Sequence, residues 1–262
     1  MKRIQGIRER LDLLRKRHGL VAVLRHLLTR SFGEINFLRP SSLIDFRHAS
    51  VKIVDSCEDF LLHLLPNVPQ ENIQTFLTEA RELIPSKPRS ATLSFPENWN
   101  SGSSLRIILF SLARILRPEL VVETGTANGA SADAWATALM LNEKGRLISI
   151  DIVETPAPLL AKTNRERVAL LKTSGSMKEL RKTLVEESRK VQGIKIFMHD
   201  SDHSYFGQTN DFVVAQEANF NLLLSDDVDS SMAFLEFIPN GSSAVVMIDG
   251  TKMIGALRLN LG

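Results

Sequence analysis

Cysteine is almost missing from this 262-residue chain, in which Cys57 stands alone. No internal disulfide framework can form and no cysteine cluster can hold a metal, which fits a reducing compartment, the cytoplasm by default. Long apolar runs are missing too. None approaches the roughly 20 residues that span a bilayer. The basic start is followed only by Leu20-Val21-Ala22-Val23-Leu24, too short for a signal-peptide core, so export is not expected. Repeats and low-complexity tracts are absent. Charge of one sign is scarce overall, with a net of +2, but it is unevenly spread. Residues 1–40 carry ten Lys/Arg against Glu9, Asp12 and Glu34, a balance of +7, so the remainder sums to −5. With no basic stripe near the motifs described below, nucleic acid is not expected as a substrate.

Beneath the N-terminal charges, Leu11, Leu14, Val21, Leu24, Leu27 and Leu28 recur at helical spacing. This reads as a solvated amphipathic helix docking on the body or on a second copy of the chain, with weak contact to an anionic membrane surface as the alternative.

The most informative stretch is Leu120-Val121-Val122-Glu123-Thr124-Gly125-Thr126-Ala127-Asn128-Gly129. An apolar run ending in an acid, then a glycine loop, then a helical pattern, reads as a buried parallel strand delivering a ligand loop to a helix N-terminus. A second run, Leu147-Ile148-Ser149-Ile150-Asp151, ends in another carboxylate suited to the two hydroxyls of a ribose. A dinucleotide site wants G-x-G-x-x-G with its second glycine under the pyrophosphate, and Ala127 stands in that place. Glu123 would repel a pyrophosphate but suits a cationic ligand such as an ammonium group.

These residues resemble the class I S-adenosylmethionine-dependent methyltransferases, whose first motif is E/D-x-G-x-x-x-G and whose next strand ends in the ribose-binding acid. Further along, Ile196-Phe197-Met198-His199-Asp200-Ser201-Asp202-His203-Ser204-Tyr205 is similar to the F-I-D-G-D-H-S-Y signature of a small-molecule O-methyltransferase branch that includes macrocin-type sugar methyltransferases and is related to catechol-type enzymes. Asp211 also matches. Leu222-Leu223-Leu224-Ser225-Asp226-Asp227-Val228 looks like the strand that supplies metal ligands in those families. The resemblance covers residues 103–261. It implies that Glu123, Gly125, Thr126, Asn128, Gly129 and Ser131 hold the methionine end of S-adenosylmethionine and Asp151 its ribose, with Ser174 and its neighbours near the adenine. It further implies that Asp200, Asp226 and Asp227 bind Mg²⁺, a hard cation that takes oxygen ligands and keeps waters. The chain departs from the family pattern at Glu217-Ala218-Asn219-Phe220, where a Pro-Gly-Gly turn is usual, and at Ser201, where Gly is common.

Strand-like runs at 120–124, 147–151, 168–172, 194–198 and 221–226 alternate with helical segments beginning near Ser131, Pro158, Ser176, Tyr205 and Ser230, which predicts parallel strands with right-handed crossovers. Runs at 244–248 and 253–259 are joined too closely for a crossover and must be antiparallel. The expected fold is α/β: a doubly wound, mostly parallel seven-stranded Rossmann-like methyltransferase sheet with an antiparallel C-terminal hairpin. Upstream, residues 41–88 read as helix and loop, with one helix over 70–83, and the turn-rich stretch 90–104 reads as linker or lid. A helix from about Leu105 is capped by Ser103 or Ser104. This divides the chain into an N-terminal helical extension, 1–102, and a cofactor-binding domain, 103–262.

The strand-end acids Glu123, Asp151, Asp200 and Asp226 should converge, because open parallel sheets bind ligands beyond their C-terminal edge. Methyl transfer to a hydroxyl needs position and a base. His203 titrates in the right range to be that base, Asp200 stands beside it as the second catalytic residue, and His199 reads as structural. The expected function is an S-adenosylmethionine-dependent O-methyltransferase acting on a small-molecule or sugar hydroxyl with Mg²⁺ assistance. The rivals are a non-catalytic binding or assembly module of the same fold, a metal-dependent hydroxylase-like relative, and an NAD-linked oxidoreductase.

Overall fold

The computed structural model describes residues 51–85, 91–238, 244–250 and 252–259. The expected basic helix at the N-terminus, with its membrane or subunit contact, lies outside the described residues.

The strand β2, Leu120–Thr124, is buried at every position, as a parallel strand covered on both faces must be. The other strands are β1 (Val51–Val54), β3 (Arg146–Asp151), β4 (Val168–Lys172), β5 (Lys195–His199), β6 (Leu222–Ser225), β7 (Ala244–Asp249) and β8 (Lys252–Arg258). They form one sheet in the order β1-β7-β8-β6-β5-β2-β3-β4. All neighbouring pairs are parallel except those made by β8, which runs antiparallel to both β6 and β7. The chain winds outward from β2 to β4 and then returns to β5 on the other side. The crevice between the ends of β2 and β5 is therefore the switch point where such sheets bind ligands.

The helices are α1 (Cys57–Leu64), α2 (Gln70–Leu83), α3 (Ser103–Leu116), α4 (Ala130–Leu141), α5 (Met177–Arg189), α6 (Tyr205–Glu217) and α7 (Ala233–Phe237). One apolar core joins α1 to α4 with the sheet through Phe60, Leu61, Ile73, Leu77, Ile108, Trp135 and Met198. The second, on the opposite face, gathers Leu184, Phe197, Phe212, Phe220 and Phe234. Among the described residues, no helix is long and apolar enough to cross a membrane.

Four expectations need correction. The sheet has eight strands rather than seven, because β1 adds to β7 at the edge of the sheet. A four-residue strand inside a segment without alternation carries too weak a pattern to be read. The helix expected from Pro158 is a loop followed by a 3₁₀ turn, Lys162–Arg167, since Pro156 and Pro158 both lack the N–H a helix needs. The helix expected from Ser230 begins only at Ala233. Neither serine caps α3: Gly102 takes the N-cap position, and Ser104 Oγ donates instead to Asp249 Oδ1 at 2.9 Å.

Candidate functional site

Each glycine of the loop after β2 answers a specific close approach. Gly125 has φ +93°, and a Cβ there would lie 1.9 Å from the Asp200 carbonyl oxygen. Gly129 has φ +85°, and its Cβ would press on that of Ala157 at 2.8 Å. The β2 and β5 loops are packed against one another, tied by the Asp200 N–H donating to the Thr124 carbonyl at 2.9 Å. Ala127, where a dinucleotide loop would carry its second glycine, itself takes a left-handed φ of 42°. Asp151 braces the same loop: its Oδ2 accepts from the Thr126 and Ala127 N–H groups at 3.1 and 3.0 Å, and its Oδ1 from Val153 N–H at 3.0 Å.

Glu123 is fully buried. Ser149 Oγ donates to its Oε1 at 2.6 Å, and its Oε2 has no partner. Burial pushes its carboxyl up to about 8, against the pull of Ser149 and Ser131 and with the nearby charges of Asp200 and Asp151 adding to the rise. A buried carboxyl with one oxygen unpartnered beside a helix N-terminus would gain from a cationic ligand group.

Over this loop lies a strap formed by residues 94–101. Asn128 Oδ1 accepts from the Ser94 and Phe95 N–H groups, both at 3.0 Å, while Nδ2 donates to Phe95 O at 3.1 Å and Asn100 Oδ1 at 2.9 Å. Ser101 Oγ donates to Asp200 Oδ2 at 3.1 Å, and Trp99 stacks on Phe95 with ring centroids 5.7 Å apart. Between strap and loop remains a cavity of about 20 Å³ bordered by Trp99, Gly125, Asn128, Ser131 and Asp200. The expected cofactor residues Gly125, Thr126, Asn128, Gly129, Ser131, Glu123 and Asp151 are thus brought together. Ser174 is not part of this group: its N–H and Oγ both donate to Glu179 Oε2 at the start of α5.

Beyond β5 and β6 the acids form a second cluster. His203 Nδ1 lies 2.8 Å from Asp227 Oδ2, and Nε2 lies 3.6 Å from Asp200 Oδ1, too far for a hydrogen bond but near enough for attraction. Burial alone would lower the His203 pKa, yet Asp200 and Asp227 outweigh it and raise it to about 10. At neutral pH the imidazole therefore holds both protons, so the general base expected at His203 is occupied in this arrangement. Asp226 is pushed up to about 7, by burial first and then by the charges of Asp200 and Asp227. Asp227 sits in the left-handed region at φ 49°. Burial would raise its pKa, but the hydrogen bond with His203 and the charges of His203 and Lys252 hold it below the usual range.

Several partners in these clusters have little or no signature in the sequence. Lys252 Nζ lies 3.3 Å from both Asp226 Oδ2 and Asp227 Oδ1. Its position at the start of the last hairpin strand was the available signal. Asn100, Ser101 and Ser149 carried none. His199 is structural, buried with Nδ1 2.7 Å from Asp211 Oδ2, which also accepts from Thr124 Oγ1 at 2.7 Å. The missing Pro-Gly-Gly turn is replaced by Asn219 at φ 57°, a residue that tolerates that region, and β6 keeps its place.

The expected Mg²⁺ does not fit this donor set. Asp200, Asp226 and Asp227 are grouped, but Lys252 already sits against Asp226 and Asp227 and His203 against Asp200 and Asp227. Among the described residues, no group of three or more His, Cys, Asp or Glu side chains could hold a metal ion. Magnesium demands near-octahedral oxygen ligands at about 2.0–2.1 Å, and an ammonium seated between two of the three carboxylates opposes that approach.

Residues 122–227 match the family model described as a methyltransferase domain. The matched residues include Glu123, Asp151, Asp200, His203, Asp226 and Asp227, and end before Lys252. A comparison with curated proteins gave no match. Similar solved structures include the O-methyltransferase TomG from Streptomyces achromogenes in complex with S-adenosylmethionine, 17% identical, covering 79% of this chain and 97% of that one with a TM-score of 0.49. A methyltransferase from Geobacter sulfurreducens is 19% identical over 77% of this chain and 94% of its own, TM-score 0.45. The Podospora anserina methyltransferase PaMTH1, bound to S-adenosylhomocysteine, is 13% identical over 76% and 93%, TM-score 0.45.

Proposed function

We propose that this chain is an S-adenosylmethionine-dependent O-methyltransferase whose acceptor is a hydroxyl of a small molecule or sugar moiety. The observation that carries the reading is the junction at the switch point. There the glycine loop and the unpartnered Glu123 Oε2 adjoin Asp200, whose carboxylate reaches toward His203 and the second acid cluster. Glu123, Thr126, Ser131 and the loop backbone would hold the methionine end, and Asp151 would exchange its bonds to the loop N–H groups for ribose hydroxyls. When bound, the cofactor supplies a methyl group on a sulfonium, a leaving group that needs no covalent help. The strap excludes water from the loop.

The acceptor's proton is left to the Asp200–His203–Asp227 set. Removing a proton from His203 frees Nε2, which faces Asp200, to take one from a hydroxyl placed between them. Turnover should therefore rise with pH through the His203 ionisation. No step is assigned to Mg²⁺. The cytoplasm suits a chain with one free thiol, and the N-terminal segment remains the proposed contact with a second copy or an anionic membrane surface.

Calorimetry with S-adenosylmethionine tests the cofactor: binding is expected and should weaken in Asp151→Ala, while binding of NADH in its place would overturn the reading. Once an acceptor is found, Asp227→Asn should move the acidic limb of the pH–rate profile to lower pH, because losing an anion beside His203 disfavours the imidazolium. A limb that stays put removes His203 from the proton path.

A further inference from the structure

We propose that Lys252 is the resident cation of the acceptor site, filling between Asp226 and Asp227 the positioning role that a divalent metal would otherwise take, so that the site works without one.

The hairpin geometry builds the lysine into the site. Asp249 pairs with Lys252 across the β7–β8 turn, and Ser225 pairs with Gly255 across the antiparallel β6–β8 ladder. Lys252, three residues before Gly255, therefore lies beyond the end of β6, level with the chain that follows Asp226 and Asp227. The adjoining backbone is pinned on both sides of that pairing: Val228 N–H donates to the Met253 carbonyl at 3.0 Å, and Met253 N–H donates to Asp229 Oδ1 at 3.1 Å. The ammonium is thus delivered by two strands rather than by a free loop, and it reaches both carboxylates at 3.3 Å.

With all three carboxylates ionised, one ammonium and one imidazolium leave this cluster at −1, and partial protonation of the buried Asp226 brings it nearer to neutral, so little negative charge is left for a divalent metal to meet. A divalent ion would have to expel an ammonium tied to two carboxylates, and like charges a few ångströms apart repel strongly in a partly buried site. The same ammonium also donates to Asp227 Oδ2 at 3.4 Å, the oxygen that lies against His203 Nδ1, which makes Lys252 a positioning residue.

The inference rests on reading the acid cluster as the acceptor site, but its test needs neither acceptor nor turnover. Binding of Mn²⁺ to the full chain is followed by electron paramagnetic resonance for wild type, Asp226→Asn, Lys252→Met, Lys252→Arg and the double variant Lys252→Met/Asp226→Asn. Wild type and Lys252→Arg should bind no Mn²⁺ at the cluster. Lys252→Met should gain a site roughly tenfold or more tighter than any wild-type binding, as expected when one adjacent positive charge is removed, and Asp226→Asn should abolish the gained site. A wild-type site that Asp226→Asn removes, or a folded Lys252→Met with no gain, would overturn the proposal. If circular dichroism shows that Lys252→Met does not fold, Lys252→Gln takes its place, with the same gain expected and its absence equally decisive. Calorimetry with S-adenosylmethionine on the same samples separates failure of this inference from failure of the methyltransferase reading.

Discussion

At the scale of single residues, the site is held in charge states that its surroundings impose. Glu123, raised to about 8 by burial, stays protonated in the folded chain while the same group ionises near 4.5 when unfolded. Between those values the native state binds the extra proton, so stability falls as pH rises. His203 adds to this slope from the other side: raised from 6.5 to about 10, its contribution is full below 6.5 and is lost as pH climbs through the folded value. Alkaline conditions should therefore weaken the fold. Glu123→Gln removes the first of these losses, and at pH 8 it should be more stable than wild type by on the order of 4 kcal/mol. The gain should vanish near pH 4.5. Thermal unfolding at the two pH values checks this, and an equal gain at both would show that packing rather than ionisation is responsible. The same substitution should weaken S-adenosylmethionine binding, a trade of function for stability that strained sites commonly show.

At the scale of elements, the strap over the glycine loop is the part that must move. Its cavity of about 20 Å³ holds roughly one water, whereas ligand pockets run to several hundred Å³. All four hydrogen bonds of the Asn128 amide are spent on strap residues, so this side chain latches the strap instead of standing open for a ligand. Entry of a cofactor requires those bonds to break. Asn128→Ala should then raise amide exchange at Ser94 and Phe95 by about tenfold or more, as loss of about 1–2 kcal/mol of hydrogen bonding predicts, with little change in the core strands. Hydrogen exchange read by mass spectrometry gives the answer. Unchanged protection over residues 94–101 would mean that other contacts hold the strap.

At the scale of the whole molecule, residues 51–85 are built into the same sheet and core as the site. β1 pairs with β7 from the far end of the chain, and Phe60, Leu61, Ile73 and Leu77 share one core with Ile108, Leu139 and Trp135. Truncating a fully buried aromatic there should be felt throughout: Phe60→Ala should cost about 3–5 kcal/mol. Denaturant unfolding of a Trp99→Phe variant should remain a single transition when followed by Trp135 fluorescence and by circular dichroism. Two separate transitions would show instead that residues 51–85 melt as a unit of their own.

Strands β2 to β6, and their parallel winding, were legible because each is an apolar run closed by an acid or a turn; β2, β3, β5 and β6 bury theirs inside the covered sheet, while β4 takes its edge. The hairpin was legible for a simpler reason, since four residues cannot carry a crossover. Strand-end acids could be placed together because topology alone sends every parallel strand end to one edge. What local pattern could not express was which groups would neutralise them. Lys252 reaches Asp226 and Asp227 only through the register of β8 against β6, and the strap meets Asn128 across more than thirty residues. Burial likewise belongs to the assembled molecule: it turned Glu123 toward its protonated form, while the carboxylates around His203 gave that ring its second proton. Residue type and spacing name the groups that can carry chemistry, but their charge depends on distances that arise only when the sheet closes.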